Sequence, residues 1–461
     1  MPSLIANLQQ TVPSLRNQLE AVQQASSLSG MLLAAWRLGL AVALLVVQAV
    51  LYERAHAPAE AQVCPQCGTP LHSKGFLPRQ LTTLLGVLRW ERRVQRCPKQ
   101  CHLGQVAPLD TALGLAPYQK TSVEVKQLAC AFAVFVPFET ASALLKRAIG
   151  VAISPAAIWG WVQTFGQRAL ARLNQELEAL AVGQTPEAEP LEATLADLPL
   201  LAGADGVMVP FRPEKDSPQG RTIWREVKVG TLRVARLKRY TNREGKEVTR
   251  LERRRLVAVL GDIDALSPRL WLEALRQGVL TAKVVAWVSD GGRGFWHLFR
   301  ERFEGLGIGI LDFYHAAQNL WKAARAWRDG RIWLKPDEAR DWFGKVRHQL
   351  RHGEANAVLE ELKTTLALNE LPAGARHTLQ NVYDYLVKHS AHINYEKFKE
   401  LGLPLGSGMV ESACKWLIQQ RFKGVGMRWG KDGFNHLLHL RLAWVNDRFD
   451  ALFLPEASPN M

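Results

Sequence analysis

The stretch Leu200–Phe211, LLAGADGVMVPF, is an apolar run of strand length that carries a single acid, Asp205. Apolar runs of this kind read as strands buried on both faces, so an ionisable side chain in one needs a reason to be there. Working outward, Trp224–Leu237 and Arg255–Leu260 read as two further strands joined through basic turns. Ser267–Gly278 then has helical spacing, Lys283–Ser289 is a strand that ends at Asp290, Gly294–Phe303 is a helix, and Gly307–Leu311 is a strand that ends at Asp312.

Three strands, a helix, a strand, a helix and a strand is the order of an RNase H-like mixed sheet, in which the first and fourth strands lie side by side. The expected class is therefore α/β, α+β overall, with Asp205 and Asp290 as neighbours at adjacent strands. A third acid, Glu411, lies near the start of the helical run in GSGMVESACKWLIQQRF (Gly406–Phe422). Two aspartates and a glutamate provide hard oxygen ligands for two Mg²⁺ (or Mn²⁺) ions, which such sites hold roughly 3.5–4 Å apart. An acid near a helix N-terminus is by itself ordinary dipole chemistry, and Glu226 on the second strand is a competing carboxylate. After Glu411, the residues Lys415, Ile418 and Phe422 recur on one face, while Arg421 and Lys423 extend basic character toward a phosphate backbone.

The chain has 461 residues, 48% of them hydrophobic, enough for more than one core and too apolar for a disordered protein. Its net charge of +15 calls for an anionic partner. From Arg212 to Arg255 fifteen basic residues stand against six acidic ones, which favours double-stranded DNA over a solvated hairpin face. Six cysteines are too few for a disulfide framework, and four of them form two close pairs, Cys64/Cys67 and Cys97/Cys101. A CxxC followed after 29 residues by a CxxxC, with strand-like segments between, predicts a zinc ribbon holding Zn²⁺ by four thiolates, with His102 as a possible substitute ligand.

The remaining organisation follows from breaks in pattern. Residues 1–60 read as two helices, the first amphipathic through Leu4, Leu8, Val12 and Leu15. The second, over Met31–Val50, is apolar nearly all round; Arg37 interrupts it, and a buried helix is expected rather than a membrane span. Residues 61–110 form the ribbon, and 115–183 a helical region. There TASALLKRAIGVAISPAAIWGWVQTFG resembles a helix-turn-helix, with Gly150 at the turn, Ser154 and Pro155 starting the second helix, and Gln163 and Thr164 as exposed polar candidates. An ordinary helical hairpin is the alternative. Residues 184–198 read as a linker and 199–450 as the catalytic core, with a helical insertion over about 322–400. Its tryptophans, Trp327, Trp333 and Trp342, are expected to pack, with Arg347 and Arg351 among them.

Several motifs together resemble bacterial insertion-sequence transposases with a DDE catalytic core, related to the Mutator-like group. They are DG at Asp205–Gly206, WREVKVG at Trp224–Gly230, SDG with its acid at Asp290 (Ser289–Gly291), DFYH at Asp312–His315, and VESACKWLIQQRFKGVGMRW at Val410–Trp429. The resemblance covers roughly residues 198–446. It implies Asp205, Asp290 and Glu411 as a metal-binding catalytic triad, and places Asp312 and His315 at an Asp/Cys-x-x-His motif near the DNA, with Lys415 and Arg421 as further DNA-proximal candidates. A satisfied core histidine and a capping aspartate are alternative readings of His315 and Asp312. The expected activity is binding of terminal repeats, hydrolysis, and strand transfer into target DNA by a homodimer or higher oligomer. A nuclease or resolvase without strand transfer, and a non-catalytic zinc-dependent DNA-binding regulator, are the rival readings. Reduced thiols and a polar N-terminus predict a cytoplasmic, nucleoid-associated protein with no membrane partner.

Overall fold

Between the two cysteine pairs the strand pattern closes as a hairpin, β1 (His72–Thr83) antiparallel to β2 (Gly86–Arg96), and β3 (Gln105–Val106) adds to β2. This and all that follows is from a computed structural model that describes residues 13–57, 62–101, 105–213, 221–241, 245, 247–329, 336–369 and 371–454, with the side chains of 13–14, 234–241, 247–250 and 336 outside that description. His102, Trp333 and the first helix's Leu4, Leu8 and Val12 lie outside the described residues. The chain divides into two compact units, residues 1–161 and 162–461.

In the first unit, Asp110 fastens the sheet by accepting from Arg92 Nε at 2.7 Å, with Arg79 Nη1 at 3.5 Å. The apolar helix runs Leu28–His56, opened by Ser27, whose Oγ accepts from Gly30 N at 3.1 Å. The expectation that it is buried is corrected. Only Leu51 and Ala55 are buried along it, because the hairpin residues Leu81, Leu88 and Trp90 cover just its last turns, while Leu32 and Trp36 are 62% and 59% exposed. By length and composition this helix suffices to cross a membrane. The helix-turn-helix pattern forms Phe138–Ile149, a left-handed turn at Gly150 (φ 70°), and a second helix, Pro155–Ala181, on whose first turn Ser154 Oγ accepts from Ala157 N at 3.2 Å. That second helix has 27 residues, far longer than a recognition helix, and the boundary between the units falls within it.

The second unit is built on a five-stranded mixed sheet: β4 (Leu200–Phe211), β5 (Ile223–Thr241), β6 (Glu247–Leu260), β7 (Val285–Ser289) and β8 (Ile308–Leu311), in the order β6-β5-β4-β7-β8. The first three strands are antiparallel, while β4–β7 and β7–β8 are parallel, as in the RNase H-like order. The β5–β6 hairpin is longer than the sequence suggested, pairing out to Thr241 with Glu247.

Strand register assigns the faces. Ala204 pairs with Gly230, where an added Cβ would lie 2.7 Å from Leu270, so that face is covered by the helix Ile263–Arg276. Trp287, level with Ala202, packs on Phe299 and Phe303 on the same side, at the helix Arg293–Arg302. The opposite face carries Gly203 and, two residues on, Asp205. At Gly203 a Cβ would stand 2.5 Å from Val288 O and 2.8 Å from Val410 Cγ2, so only glycine lets the short helix Gly408–Ala413 seat against β4.

The segment 184–198 has little regular structure, only Ala193–Ala196, yet it is tied down. Glu189 receives Arg253 and Arg255 at 3.0 Å each, Gln277 at 3.1 Å, and Arg448. Burial alone would raise this carboxyl, but hydrogen bonds from Arg448 and Gln277 with the two further arginines outweigh it and bring its pKa down to about 2.

Gly203→Ala is expected to destabilise the protein by about 1–3 kcal/mol through overpacking, whereas Gly408→Ala, with nothing near its Cβ, should stay within about 0.5 kcal/mol of the parent. Urea denaturation of both variants checks this, and equal stabilities would mean that the Glu411 helix is not seated on β4.

Candidate metal centres

The four cysteines of the first unit converge on one point. Their sulfur atoms all lie within 4.8 Å of one another, and Cys67 Sγ is 3.5 Å from Cys97 Sγ. Each pair sits on a tight turn. Gly68 N donates to Cys64 O at 2.8 Å with Gly68 at φ 67°, and Gln100 N donates to Cys97 O at 3.1 Å with Gln100 at φ 54°. These knuckles are what sequence spacing alone requires of a ribbon. The hydroxyl and N–H of Thr69 stabilise the Cys67 thiolate and lower its pKa to about 6, while the neighbouring sulfurs of Cys67 and Cys97 push Cys101 up to about 12. Four sulfurs this close do not ionise together without a cation among them, and a tetrahedral thiolate set suits Zn²⁺.

In the second unit, the offset of the β4–β7 pairing, Leu200 with Val285 through Ala202 with Trp287, carried three residues further sets Asp205 level with Asp290. Asp205 within β4 and Asp290 just past the end of β7 each have one oxygen fixed by a glycine amide. Gly206 N donates to Asp205 Oδ1 at 2.7 Å, and Gly292 N to Asp290 Oδ1 at 2.9 Å. Trp296 Nε1 holds the Asp290 carbonyl at 2.6 Å, a contact that nothing in the sequence announced. Glu411 comes from the helix seated on Gly203, and its neighbour Lys415, one turn on, lies 3.6 Å away with its side chain 67% exposed. Directly after that helix the backbone widens into a π turn, Cys414–Gln419, a form that clusters at functional sites. Burial, followed by the charges of Asp290 and Glu411, raises the Asp205 pKa above its ordinary value, with its Gly206 hydrogen bond opposing. The three sequence-predicted acids are thus brought within electrostatic reach of each other. Mutual repulsion between carboxylates in a half-buried recess is relieved by a divalent cation, and an all-oxygen donor set suits Mg²⁺ or Mn²⁺.

Asp312 and His315 join the same place in a different way. Asp312, His315 and Glu411 bring ligand atoms within 4.8 Å of one another, a tighter group than one containing Asp205 or Asp290 among the described residues. Yet both Asp312 oxygens are already committed. Oδ1 accepts from Tyr314 N at 2.6 Å and His315 N at 3.1 Å, capping the helix Phe313–Asp329, and Oδ2 accepts from Ser407 N at 2.6 Å and Ser407 Oγ at 2.5 Å. Asp312 therefore works as a clasp between the end of β8 and the start of the Glu411 helix. Burial would raise its pKa, but the bonds from His315 and Ser407 hold it down at about 2, and the same pairing at 3.4 Å raises His315. Ser407, just ahead of the Glu411 helix, is the partner the sequence did not reveal.

Other sequence candidates go elsewhere. Arg421 is 1% exposed with its guanidinium carbon 5.4 Å from the centre of the Trp429 ring, so it packs inside rather than facing DNA. Glu226 lies beside Gly206 but is paired with Lys228 at 2.7 Å. Gln163 is engaged by His436 Nδ1 at 2.8 Å and is not presented as a reading side chain. Cys414, in contrast, faces the site, 4.0 Å from Asp205 Oδ2, and burial with the two acids pushes its thiol up to about 12.

The purified protein is expected to carry about one zinc per chain, and Cys97→Ser to lose it together with the ribbon's folding, read by metal analysis and hydrogen exchange. In the metal-free protein, Asp312→Asn should lower the His315 pKa. A raised histidine contributes stability that is complete below its unfolded value and is lost as pH rises through its folded value, so an NMR titration that finds His315 unmoved would contradict the pairing. No protein-family model matches this chain, and no curated protein matches it. Among solved structures, one described as the Drosophila P element transposase strand transfer complex is similar at 11% identity and a TM-score of 0.35, over 74% of this chain and 96% of that chain, so the fold rests on the strand order itself.

Proposed function

We propose that this chain is a DDE transposase, a metal-dependent polynucleotidyl transferase that binds the ends of its element and carries out phosphodiester hydrolysis and strand transfer at the acid site. What supports this reading is that Asp205, on an RNase H-like sheet with its pKa raised by burial, also feels the charges of Asp290 and Glu411. Those three carboxylates would hold Mg²⁺ or Mn²⁺, which when bound supplies Lewis acidity to the attacked phosphodiester and to the leaving oxygen. The chain's own part is to hold the acids. The Gly206 and Gly292 amides orient Asp205 and Asp290, and the Asp312–Ser407 clasp fixes where the Glu411 helix begins. His315, half-buried beside Asp312, is placed to carry a proton at its ring.

Phosphate binding is ascribed to the net charge of +15 and above all to the basic β5–β6 hairpin. The cysteine ribbon and the helical region after it are assigned to end recognition, and a dimer to the need to cut and join two ends together. Such a protein works in the cytoplasm, on the nucleoid, where its thiols stay reduced. A nuclease without strand transfer shares the site, but the long helical insertion favours the transposase.

Asp205→Asn and Glu411→Gln are expected to reduce Mg²⁺-dependent cleavage and joining of DNA bearing the element's ends by about 100-fold or more, with DNA affinity changed only a few-fold. Cleavage without joining in the parent protein would establish the nuclease instead, and binding without either would establish a regulator.

A further inference from the structure

The insertion sends one side chain back to the acid site. Tyr385, on the helix Ala373–Lys388, lies flat against the turn that follows Asp290. A Cβ added at Gly291 would stand 2.1 Å from its Cε2 and 2.9 Å from both Cζ and Oη. The hydroxyl is therefore at the rim of the turn that presents the Asp290 carboxylate. The proton of this buried Oη has no acceptor within 3.5 Å among the described residues, while the Asn319 amide acts on the oxygen itself. Asn319, the nearest candidate, gives its Nδ2 to His315 O at 3.2 Å, and its Oδ1 receives Lys322 Nζ at 3.1 Å.

A phenol buried without an acceptor is costly, and structures keep such groups where a ligand completes them. Burial, with the charges of Asp290 and Asp312, pushes the Tyr385 pKa up, so at neutral pH the group is a phenol and offers a proton to share. The charges of Asp290 and Asp312 disfavour an anion there, and a donor beside those acids is what a phosphodiester oxygen needs.

We propose that Tyr385 donates a hydrogen bond to a non-bridging oxygen of the phosphate undergoing attack, so that the helical insertion supplies a catalytic residue to the site. This rests on the transposase reading, and it makes Gly291 a requirement: any side chain there would displace the ring. No bond to the tyrosine forms or breaks.

The full-length protein with Tyr385→Phe keeps the ring over Gly291 and removes only the donor. Single-turnover cleavage of DNA carrying the element's ends, at saturating DNA and Mg²⁺, should fall about 10–100-fold, with DNA affinity and the half-saturating Mg²⁺ concentration within about twofold. Replacing one non-bridging oxygen of the scissile phosphate by sulfur should slow the parent and leave the variant much less affected, a readout that a packing role does not move. An unchanged rate in the variant, or an equal sulfur penalty in both proteins, overturns the proposal while leaving the transposase reading intact. Absence of cleavage by the parent overturns that reading itself.

Discussion

Strand β4 lies at the middle of the sheet with β5 on one side and β7 on the other, and its pairing with β7 is parallel. A parallel pair cannot be closed by a hairpin, so after β5 and β6 the chain must leave the sheet through the helix Ile263–Arg276 before it returns at Val285. That constraint sets two carboxylates level at adjacent strand ends, and the missing side chain at Gly203 lets the Glu411 helix come down on the same face. A shift of one residue in β4 would turn Asp205 into the opposite layer, against Leu270 and Trp287.

Charge is divided within this unit. Acids crowd the recess around Asp205, and the β5–β6 hairpin is basic, although its Arg253 and Arg255 are drawn, with Arg448, onto Glu189. Those arginines are spent on Glu189 and are not spare phosphate ligands. The exposed positive charge is therefore narrower than the composition suggests, as Arg421 also shows by packing on Trp429.

The strand order and the positions of Asp205, Asp290 and the four cysteines were legible because each rests on local pattern: apolar runs, a glycine directly after each acid, and paired thiols. The helix after β6 was placed four residues late, at Ser267, since the cap that starts it is the Asp262 side chain accepting from Ala265 N at 3.0 Å. The exposure of the helix Leu28–His56 was not legible, because a helix that is apolar all round carries no information about which sides find partners. Nor were Ser407, Trp296 and Tyr385, whose roles depend on contacts across 95, 6 and 94 residues that only the folded chain brings together.

The clasp of Asp312 on Ser407 closes the helical insertion into a loop whose two ends are pinned at one carboxylate. Once ends are fixed, the entropy of closing a loop grows slowly, by roughly 0.6 kcal/mol for each doubling of its length. The connections between helices Pro336–Arg351 and Ala355–Leu366 can thus be lengthened at small thermodynamic expense, provided that the clasp, the turn holding Tyr385 and the buried Val346, Leu350, Val358 and Leu362 are kept. Evolution is then free to remodel the outer surface of the insertion while the chemistry beneath stays where it is.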